Sequence, residues 1–146
     1  MLPDADALVG QTPYGGLMNI VAHLNRLLGL RLLVIEDETM IAIMLEDLLE
    51  ELGCVVVEVA GTLSKGLALA NDEGLELDGA ILDVNLGGEK VYPVAERLSD
   101  RGVPFIFCTG YGMAGLAAKF AHIPTLAKPY EVEDLQGALA ALVEGR

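Results

Sequence analysis

Several kinds of residue are scarce in this sequence, and each shortage excludes a class of protein. The chain of 146 residues contains only two cysteines, Cys54 and Cys108, which lie inside or beside apolar runs. Two isolated thiols form neither a disulfide framework nor a metal-ligand pattern, so we expect both to be reduced. Nine Lys and Arg residues oppose 22 Asp and Glu residues, for a formal net charge of -13. Because nucleic acids bind to basic surfaces, direct contact with nucleic acid is not expected.

The sequence also has no apolar run long enough to span a membrane. The most apolar window, residues 17–35, is interrupted by five polar residues: Asn19, His23, Asn25, Arg26 and Arg31. A transmembrane helix needs ~20 consecutive, mostly apolar residues, so no membrane span is predicted. No Lys or Arg precedes Arg26, and the basic start of a secretory signal is therefore missing as well. We expect a cytoplasmic protein.

The sequence does contain enough apolar residues for one sizeable core. Hydrophobic residues make up 53% of the chain and the mean hydropathy is +0.47, which argues against extensive disorder. Short apolar runs typical of buried strands alternate five times with segments of helical periodicity. The predicted strands are residues 31–36, 54–60, 80–83, 103–108 and 123–127, and the predicted helices are residues 38–52, 62–71, 93–102, 113–120 and 132–143. This alternation predicts an α/β fold with a doubly wound, five-stranded parallel sheet.

Apolar spacing also indicates which faces two of these helices bury. In helix 38–52 the inward face is predicted to comprise Met40, Ile41, Met44, Leu45, Leu48 and Leu52. The last helix is predicted to bury Val132, Leu135, Leu139 and Leu142. Thr62, directly before another helical stretch, is a suitable N-cap.

Residues 1–29 are predicted to form a leader that ends in an amphipathic helix, and residues 30–146 a single domain. Residues 17–28 place Leu, Ile and Val at helical spacing, and Gly29 follows as a C-terminal stop. The apolar stripe of this helix must be buried somewhere, either on the domain itself or on a second copy in a homodimer. A third alternative is that translation naturally begins at Met18.

Polar side chains stand at the ends of four of the predicted strands. The first strand ends in Glu36 and Asp37, the third in Asp83, the fourth in Thr109 and the fifth in Lys128. If all five strands are parallel, these ends lie at one edge of the sheet, and with the order 2-1-3-4-5 the first and third strands are neighbours where the strand order reverses. Glu36, Asp37 and Asp83 are therefore expected to converge at this point.

Such a cluster favours a cation and a phosphoryl group. Neighbouring carboxylates repel one another unless a cation neutralises them, and oxygen ligands with open water positions favour Mg²⁺ or Mn²⁺. Lys128 adds a positive charge to the same edge, and Thr109 adds a hydroxyl donor. The metal and the lysine would neutralise phosphoryl oxygens while Asp83 attacks in line. Glu38 is interpreted as a helix first-turn charge rather than a ligand.

Four stretches, in this order, resemble the receiver domain of two-component response regulators. They are residues 33–38 (Leu-Val-Ile-Glu-Asp-Glu), 81–86 (Ile-Leu-Asp-Val-Asn-Leu), 105–110 (Phe-Ile-Phe-Cys-Thr-Gly) and 127–130 (Ala-Lys-Pro-Tyr). The ordered set is far more specific than any single stretch. The resemblance implies the flavodoxin-like receiver fold with strand order 2-1-3-4-5, to which the N-terminal helix would be an addition.

The resemblance also implies a role for each polar residue at the strand ends. Asp83 would accept a phosphoryl group from the phosphohistidine of a histidine kinase or a phosphotransfer protein. Asp37, Asp83 and the backbone carbonyl of Asn85 would hold Mg²⁺, and Glu36 would act mostly through water. The phosphoryl oxygens would be contacted by the two remaining residues, Lys128 and Thr109.

One stretch resembles a narrower subgroup of this family. Residues 107–111, followed by Lys-Pro-Tyr at residues 128–130, are similar to a Phe-Ala-Thr-Gly-x-Tyr-like motif of alphaproteobacterial receivers, many of them stand-alone domains. Cys108 replaces the Ala of that motif. Many receivers place a switch aromatic three residues before the lysine, where this chain has Thr125. We therefore expect Tyr111, which lies between glycines, to respond to phosphorylation while Thr125 is passive.

Three classes of function remain open. The first is a stand-alone receiver that is phosphorylated and signals by protein contact, to a downstream target or as a phosphate sink for a second kinase. Its only enzymatic activity would be hydrolysis of its own phosphoaspartate. The second is a Mg²⁺-dependent phosphohydrolase, a class that usually has a second acid where this chain has Asn85. The third is a receiver-like binding module that is not phosphorylated, which would be expected to lack one of Asp37, Asp83 or Lys128.

Overall fold

A computed structural model describes residues 26–110 and 116–144 of the chain. The strands in this part are β1 Arg31–Ile35, β2 Val55–Ala60, β3 Gly79–Asp83, β4 Asn85–Leu86, β5 Glu89–Lys90, β6 Phe105–Thr109 and β7 Thr125–Ala127. Five of them form one sheet in the order β2-β1-β3-β6-β7, and every neighbouring pair is parallel. The predicted doubly wound sheet is therefore confirmed, with β6 and β7 as the fourth and fifth strands of the order 2-1-3-4-5.

Helices cover both faces of this sheet. They are α1 Thr39–Glu51, α2 Leu63–Asn71, α3 Tyr92–Asp100 and α4 Val132–Glu144. The side chains of β1 alternate between the two faces: Leu32 and Val34 pack in the cluster that contains α1 and α4 residues, and Leu33 and Ile35 in the cluster that contains α2 and α3 residues. None of the helices in the described ranges is both long and apolar enough to cross a membrane.

The central strands are buried throughout. Every residue of β3 and of β6 is buried, including the polar residues Asp83 and Thr109 at their carboxyl ends. Helices on both faces exclude water from these strands, which is why they occur in the sequence as continuous apolar runs rather than as alternating patterns. The N-cap prediction is also confirmed, since the Thr62 hydroxyl accepts a hydrogen bond from the Lys65 amide at 3.1 Å.

The predicted inward faces of two helices are partly wrong. Met40 and Met44 of α1 are 72% and 60% exposed, and Val132 at the start of α4 is 38% exposed. Leu45 is buried as predicted, but the other two buried residues of α1, Ala42 and Leu49, were not part of the predicted face. The α1 sequence has two adjacent apolar stripes, and spacing alone does not determine which of them faces the sheet.

The predicted helix at residues 113–120 is also wrong where the structure describes it. Only a single 3₁₀ turn, Ala118–Phe120, is present between residues 116 and 120, and residues 113–115 lie outside the described ranges. Ala117 has an extended backbone, and its amide donates to the Tyr92 hydroxyl at 2.9 Å. The Ala117 amide thus donates to a side chain on α3, whereas in the predicted helix it would donate to a backbone carbonyl of its own segment.

Most of the predicted N-terminal helix lies outside the described residues, but the chain just before β1 is well packed. Leu27 is fully buried in the cluster between α1 and α4. The Gly29 amide donates to the Gly53 carbonyl at 2.7 Å, and Arg26 forms an ion pair with Glu144 at 3.2 Å. Residues before position 30 therefore contribute to the core, while the helix at residues 17–28 and the homodimer remain predictions.

Adjacent leucines allow a matched test of this contribution. Leu27→Ala should lower the free energy of unfolding by ~2–4 kcal/mol, because it removes a fully buried side chain from a packed cluster. Leu28→Ala, at a side chain that is 64% exposed, should cost less than ~1 kcal/mol. Urea denaturation of both variants measures the difference, and equal losses would show that Leu27 is not part of the core.

Candidate functional site

The pairing of β1 with β3 brings the acidic residues together. Ile35 is the register partner of Leu82, so the next residues of the two strands, Glu36 and Asp83, lie side by side. Both are buried, with 4% and 6% of their surface exposed. Asp37 follows Glu36 at the surface. The convergence of these three residues, expected from the strand order, is therefore present.

The pairing of β6 and β7 adds the remaining polar residues to the same edge. Asp83 is the register partner of Cys108, and Thr109 follows directly. Thr109 is in turn the partner of Ala127, and the Lys128 amide donates to the Thr109 carbonyl at 2.9 Å. The side chain of Thr109 consequently starts from the strand next to β3, and that of Lys128 from the strand one place further along the sheet.

The ammonium of Lys128 lies between two buried carboxylates. Its Nζ is 2.7 Å from Glu36 Oε1 and 3.3 Å from Asp83 Oδ2, and the lysine side chain is only 17% exposed. The other oxygen of Glu36, Oε2, accepts a hydrogen bond from the Glu38 amide at 3.1 Å. Glu36 is therefore bonded through both oxygens, which places it behind the open part of the site.

Asp37 is held in a different way, by a small hairpin that the sequence analysis did not predict. Strands β4 and β5 pair antiparallel, and the Gly87 amide at their turn donates to Asp37 Oδ2 at 3.1 Å. The Gly88 amide donates to Asn85 Oδ1 at 3.0 Å. A two-glycine turn is a known hairpin signal, so Gly87-Gly88 could have revealed it despite the short strands.

A cavity of about 390 Å³ opens over these groups. It is lined by Asp37, Glu38, Asp83, Asn85, Gly87, Thr109, Gly110 and Lys128. All the residues predicted to contact a metal or a phosphoryl group are among them except Glu36. Glu38, which was interpreted as a helix charge, is also part of the lining; its position directly after Asp37 was the available signal.

The donor atoms around the cavity suit a hard divalent cation. Carboxylate oxygens of Glu36, Asp37 and Glu38 all lie within 4.8 Å of one another, and Asp83 is beside them. These ligands are oxygens without thiolate or imidazole, which is the set that Mg²⁺ and Mn²⁺ prefer. The residues present therefore fit the predicted Mg²⁺ site.

Burial makes this cluster electrostatically unusual. Desolvation raises the pKa of Asp83 to about 7, helped by its hydrogen bond and charge repulsion with Glu36 and opposed by the positive charge of Lys128. For Lys128, desolvation alone would lower the pKa, but the hydrogen bond to Glu36 and the charge of Asp83 outweigh it and raise the pKa. The lysine thus stays charged while Asp83 retains a high proton affinity.

Neither thiol takes part in this site. Cys54 and Cys108 are both buried and unpaired by disulfides, and burial raises their pKa values to about 11 and about 12. A thiol that remains protonated at neutral pH is a poor nucleophile and a poor metal ligand. Burial of both side chains agrees with a structural role, and their reduced state remains a prediction.

Tyr111 and Thr125 are the two residues to which the sequence assigns roles in a conformational switch. Tyr111 lies outside the described residues. Thr125 is half-buried at the start of β7, and its hydroxyl donates to the Ile123 carbonyl at 3.1 Å. The Thr125 side chain is therefore engaged locally, and the roles predicted for both residues stay predictions.

A doubly wound parallel sheet with a carboxylate cluster and a lysine at its carboxyl edge defines an α/β domain of the receiver architecture. The chain belongs to the response regulator receiver domain family, whose model matches residues 32–140. The predicted resemblance is confirmed.

Several solved structures of response regulators are similar to this chain. SdrG from Sphingomonas melonis Fr1 is 45% identical, with a TM-score of 0.68, over 80% of this chain and 98% of SdrG. The BeF3-activated conformation of SdrG from Pseudomonas melonis Fr1 is 46% identical, with a TM-score of 0.66, over 77% of this chain and 95% of that one. The response regulator PhyR from Brucella abortus is 26% identical, with a TM-score of 0.72, over 90% of this chain but 55% of PhyR. No curated protein matches the sequence.

The raised pKa of Asp83 predicts how the metal-free protein responds to pH. The unfolded chain loses this proton near pH 4 and the folded chain near pH 7, so the wild type should lose stability as pH rises through this window. Asp83→Asn removes the penalty and should be more stable than the wild type above pH 7, by on the order of 1–3 kcal/mol.

Chemical denaturation in EDTA between pH 4.5 and pH 8 measures this difference. The exposed Asp100 provides the control, because Asp100→Asn should show no such pH-dependent gain. A constant difference between wild type and Asp83→Asn across this range would contradict the pKa assignment.

Proposed function

We propose that this protein is a phosphorylatable receiver in which Asp83 accepts the phosphoryl group of a phosphohistidine. The observation behind the proposal is the position of Asp83, which lines the open cavity while Lys128 stands 3.3 Å from its carboxylate. The phosphodonor would be a histidine kinase or a phosphotransfer protein. The reaction would take place in the cytoplasm.

The transfer is a displacement at phosphorus. A carboxylate oxygen of Asp83 forms the new P–O bond while the P–N bond of phosphohistidine breaks, and the electron pair of that bond stays on the imidazole. Lys128 and Thr109 would donate to the phosphoryl oxygens, where negative charge must be stabilised during the displacement. Lys128 is already charged and desolvated at this place, so little reorganisation is needed.

The chain's own oxygen ligands would hold the divalent cation that this chemistry needs. Asp37, Asp83 and the backbone carbonyl of Asn85 would bind Mg²⁺ directly, and Glu36 would act through water because both of its oxygens already accept protein hydrogen bonds. When bound, the cation supplies charge neutralisation for the carboxylates and for the phosphoryl oxygens.

The competing functions are less well supported by the same residues. A phosphohydrolase of the aspartyl type would use an acid at position 85. The Asn85 side chain cannot ionise, and its oxygen already accepts a hydrogen bond from the Gly88 amide. A binding module without phosphorylation has no need to retain Asp37, Asp83 and Lys128 in one cavity. One related structure is described as a BeF3-activated conformation of SdrG, and BeF3 is a phosphoryl mimic, which favours a phosphorylated receiver.

An exposed apolar surface beside the cavity suits a protein phosphodonor. Met40, Ile43 and Met44 on α1 are 72%, 51% and 60% exposed. Met44 also lines a groove of about 370 Å³ that reaches Lys128 and Tyr130. Flexible methionine side chains adapt to partner surfaces, and the groove and the cavity share Glu38 and Lys128 in their linings, so a donor protein docked here would have its histidine near Asp83. The output would likewise be a protein contact, with Tyr111 as the proposed responding residue and Thr125 passive.

Phosphorylation at a single carboxylate is directly testable. Asp83→Asn should abolish acid- and base-labile ³²P incorporation from a cognate kinase or from acetyl phosphate, and EDTA should abolish it in the wild type. Asp100→Asn, an exposed carboxylate on α3, is the matched control and should be labelled normally. Undiminished labelling of Asp83→Asn would refute the assignment.

The docking surface can be separated from the chemistry by changing the donor. Met44→Glu should slow transfer from a kinase by about tenfold or more, which corresponds to ~1.4 kcal/mol, but leave labelling by acetyl phosphate unchanged. Leu28→Glu places the same charge at another exposed apolar residue and should affect neither reaction. Equal slowing with both donors would indicate damage to the site rather than to a docking surface.

A further inference from the structure

The hairpin beside the acidic cluster has a fixed base and an exposed turn. Leu86 is 4% exposed and packs in the core with Val84 and Val91. Below the hairpin, the Val91 amide donates to the Val84 carbonyl at 2.9 Å. The turn residues Gly87 and Gly88 are exposed. The core therefore sets the direction of the hairpin, and only its tip is able to adjust.

The conformation of the turn directs one amide at the site. Gly87 and Gly88 have φ angles of +60° and +97°, which is the combination that a two-residue hairpin turn of the mirror-image type requires. A Cβ added at either glycine would meet no atom within 4 Å. Glycine is thus needed for the left-handed backbone rather than for space. In this conformation the Gly87 amide donates to Asp37 Oδ2.

Asp37 needs such a contact more than its neighbours do. Glu36 and Asp83 are buried and share the Lys128 ammonium, whereas Asp37 is exposed on the loop before α1. Carboxylate oxygens of Glu36 and Glu38 lie within 4.8 Å of a carboxylate oxygen of Asp37, and neighbouring carboxylates repel one another. The partial positive charge of the Gly87 N–H opposes this repulsion and restricts the rotamers of Asp37.

We propose that the backbone amide of Gly87 is a positioning group for Asp37, so that the conformation of the Asn85–Lys90 hairpin and the binding of a divalent cation are linked. The proposal deepens the proposed function and rests on its cation site. A carboxylate held in place before the cation arrives loses less conformational entropy on binding, which raises affinity. Because linkage is reciprocal, a bound cation stabilises the contact between Gly87 and Asp37 in return.

Replacing one N–H group by oxygen tests this linkage with little other change. Glycolic acid in place of Gly87 converts its amide to an ester and removes the donor, while the full chain and the turn sequence are kept. Glycolic acid in place of Gly88 is the matched control, since the Gly88 amide donates a hydrogen bond to Asn85 Oδ1 and not to a carboxylate. Gly87→Asn, which keeps the amide and tolerates a left-handed backbone, is the conservative variant.

Affinities for Mg²⁺ by calorimetry and for Mn²⁺ by electron paramagnetic resonance are the measurements. The ester at position 87 should weaken both by about threefold to tenfold, the effect of one hydrogen bond to a charged group at a partly exposed site. The ester at position 88 and Gly87→Asn should stay within about twofold of the wild type. Equal affinities for both esters, or equal losses, would overturn the positioning role.

Hydrogen exchange gives a second measurement that involves no phosphoryl chemistry. In the wild type, saturating Mg²⁺ should slow exchange of the Gly87 amide several-fold, because the cation stabilises its acceptor. Unchanged exchange at Gly87 with Mg²⁺ bound would overturn the linkage while leaving the cation site intact. A wild type that binds neither Mg²⁺ nor Mn²⁺ would instead overturn the proposed cation site itself, so the two failures are distinguishable.

Discussion

The carboxyl edge of the sheet depends on one partly buried positive charge, the ammonium of Lys128. It is the counter-ion of both Glu36 and Asp83, at 2.7 and 3.3 Å. Without it, two adjacent buried carboxylates would lack compensation, which costs several kcal/mol. Compensation is incomplete even so, because the pKa of Asp83 remains near 7. A single lysine thus keeps the cluster folded while leaving Asp83 able to interact with further positive charge.

The scaffold around this charge combines rigid and adjustable parts. Asp83 and Thr109 end strands that are buried on both faces, so their positions are fixed by core packing. Asp37 lies on an exposed loop after β1, where core packing does not restrict its side chain. The hydrogen bond from the Gly87 amide restricts it instead. Groups that bind ligands are often found on loops positioned by a rigid sheet, and here both kinds of position meet in one cavity.

Two segments of the chain depart from the structure that their local sequence pattern predicts. Met40 and Met44 occupy helix positions with core-like spacing but remain exposed on α1. The amide of Ala117 bonds to Tyr92 instead of extending a helix over residues 113–120. The first of these departures lies on the α1 surface where we propose that a phosphodonor docks, which agrees with the expectation that local rules are broken at functional positions.

The sequence by itself determined the parallel sheet and the edge where the site lies, because continuous apolar runs ending in polar residues have few other physical solutions; the strand order followed from the resemblance to receiver domains. It identified Asp37, Asp83, Thr109 and Lys128 for the same reason. Only the tertiary structure decided which apolar stripe of α1 faces the core, since neighbouring stripes are equivalent until a sheet covers one of them. It also decided that Gly87 bonds to a carboxylate 50 residues away, because such a contact depends on strand register rather than on local composition.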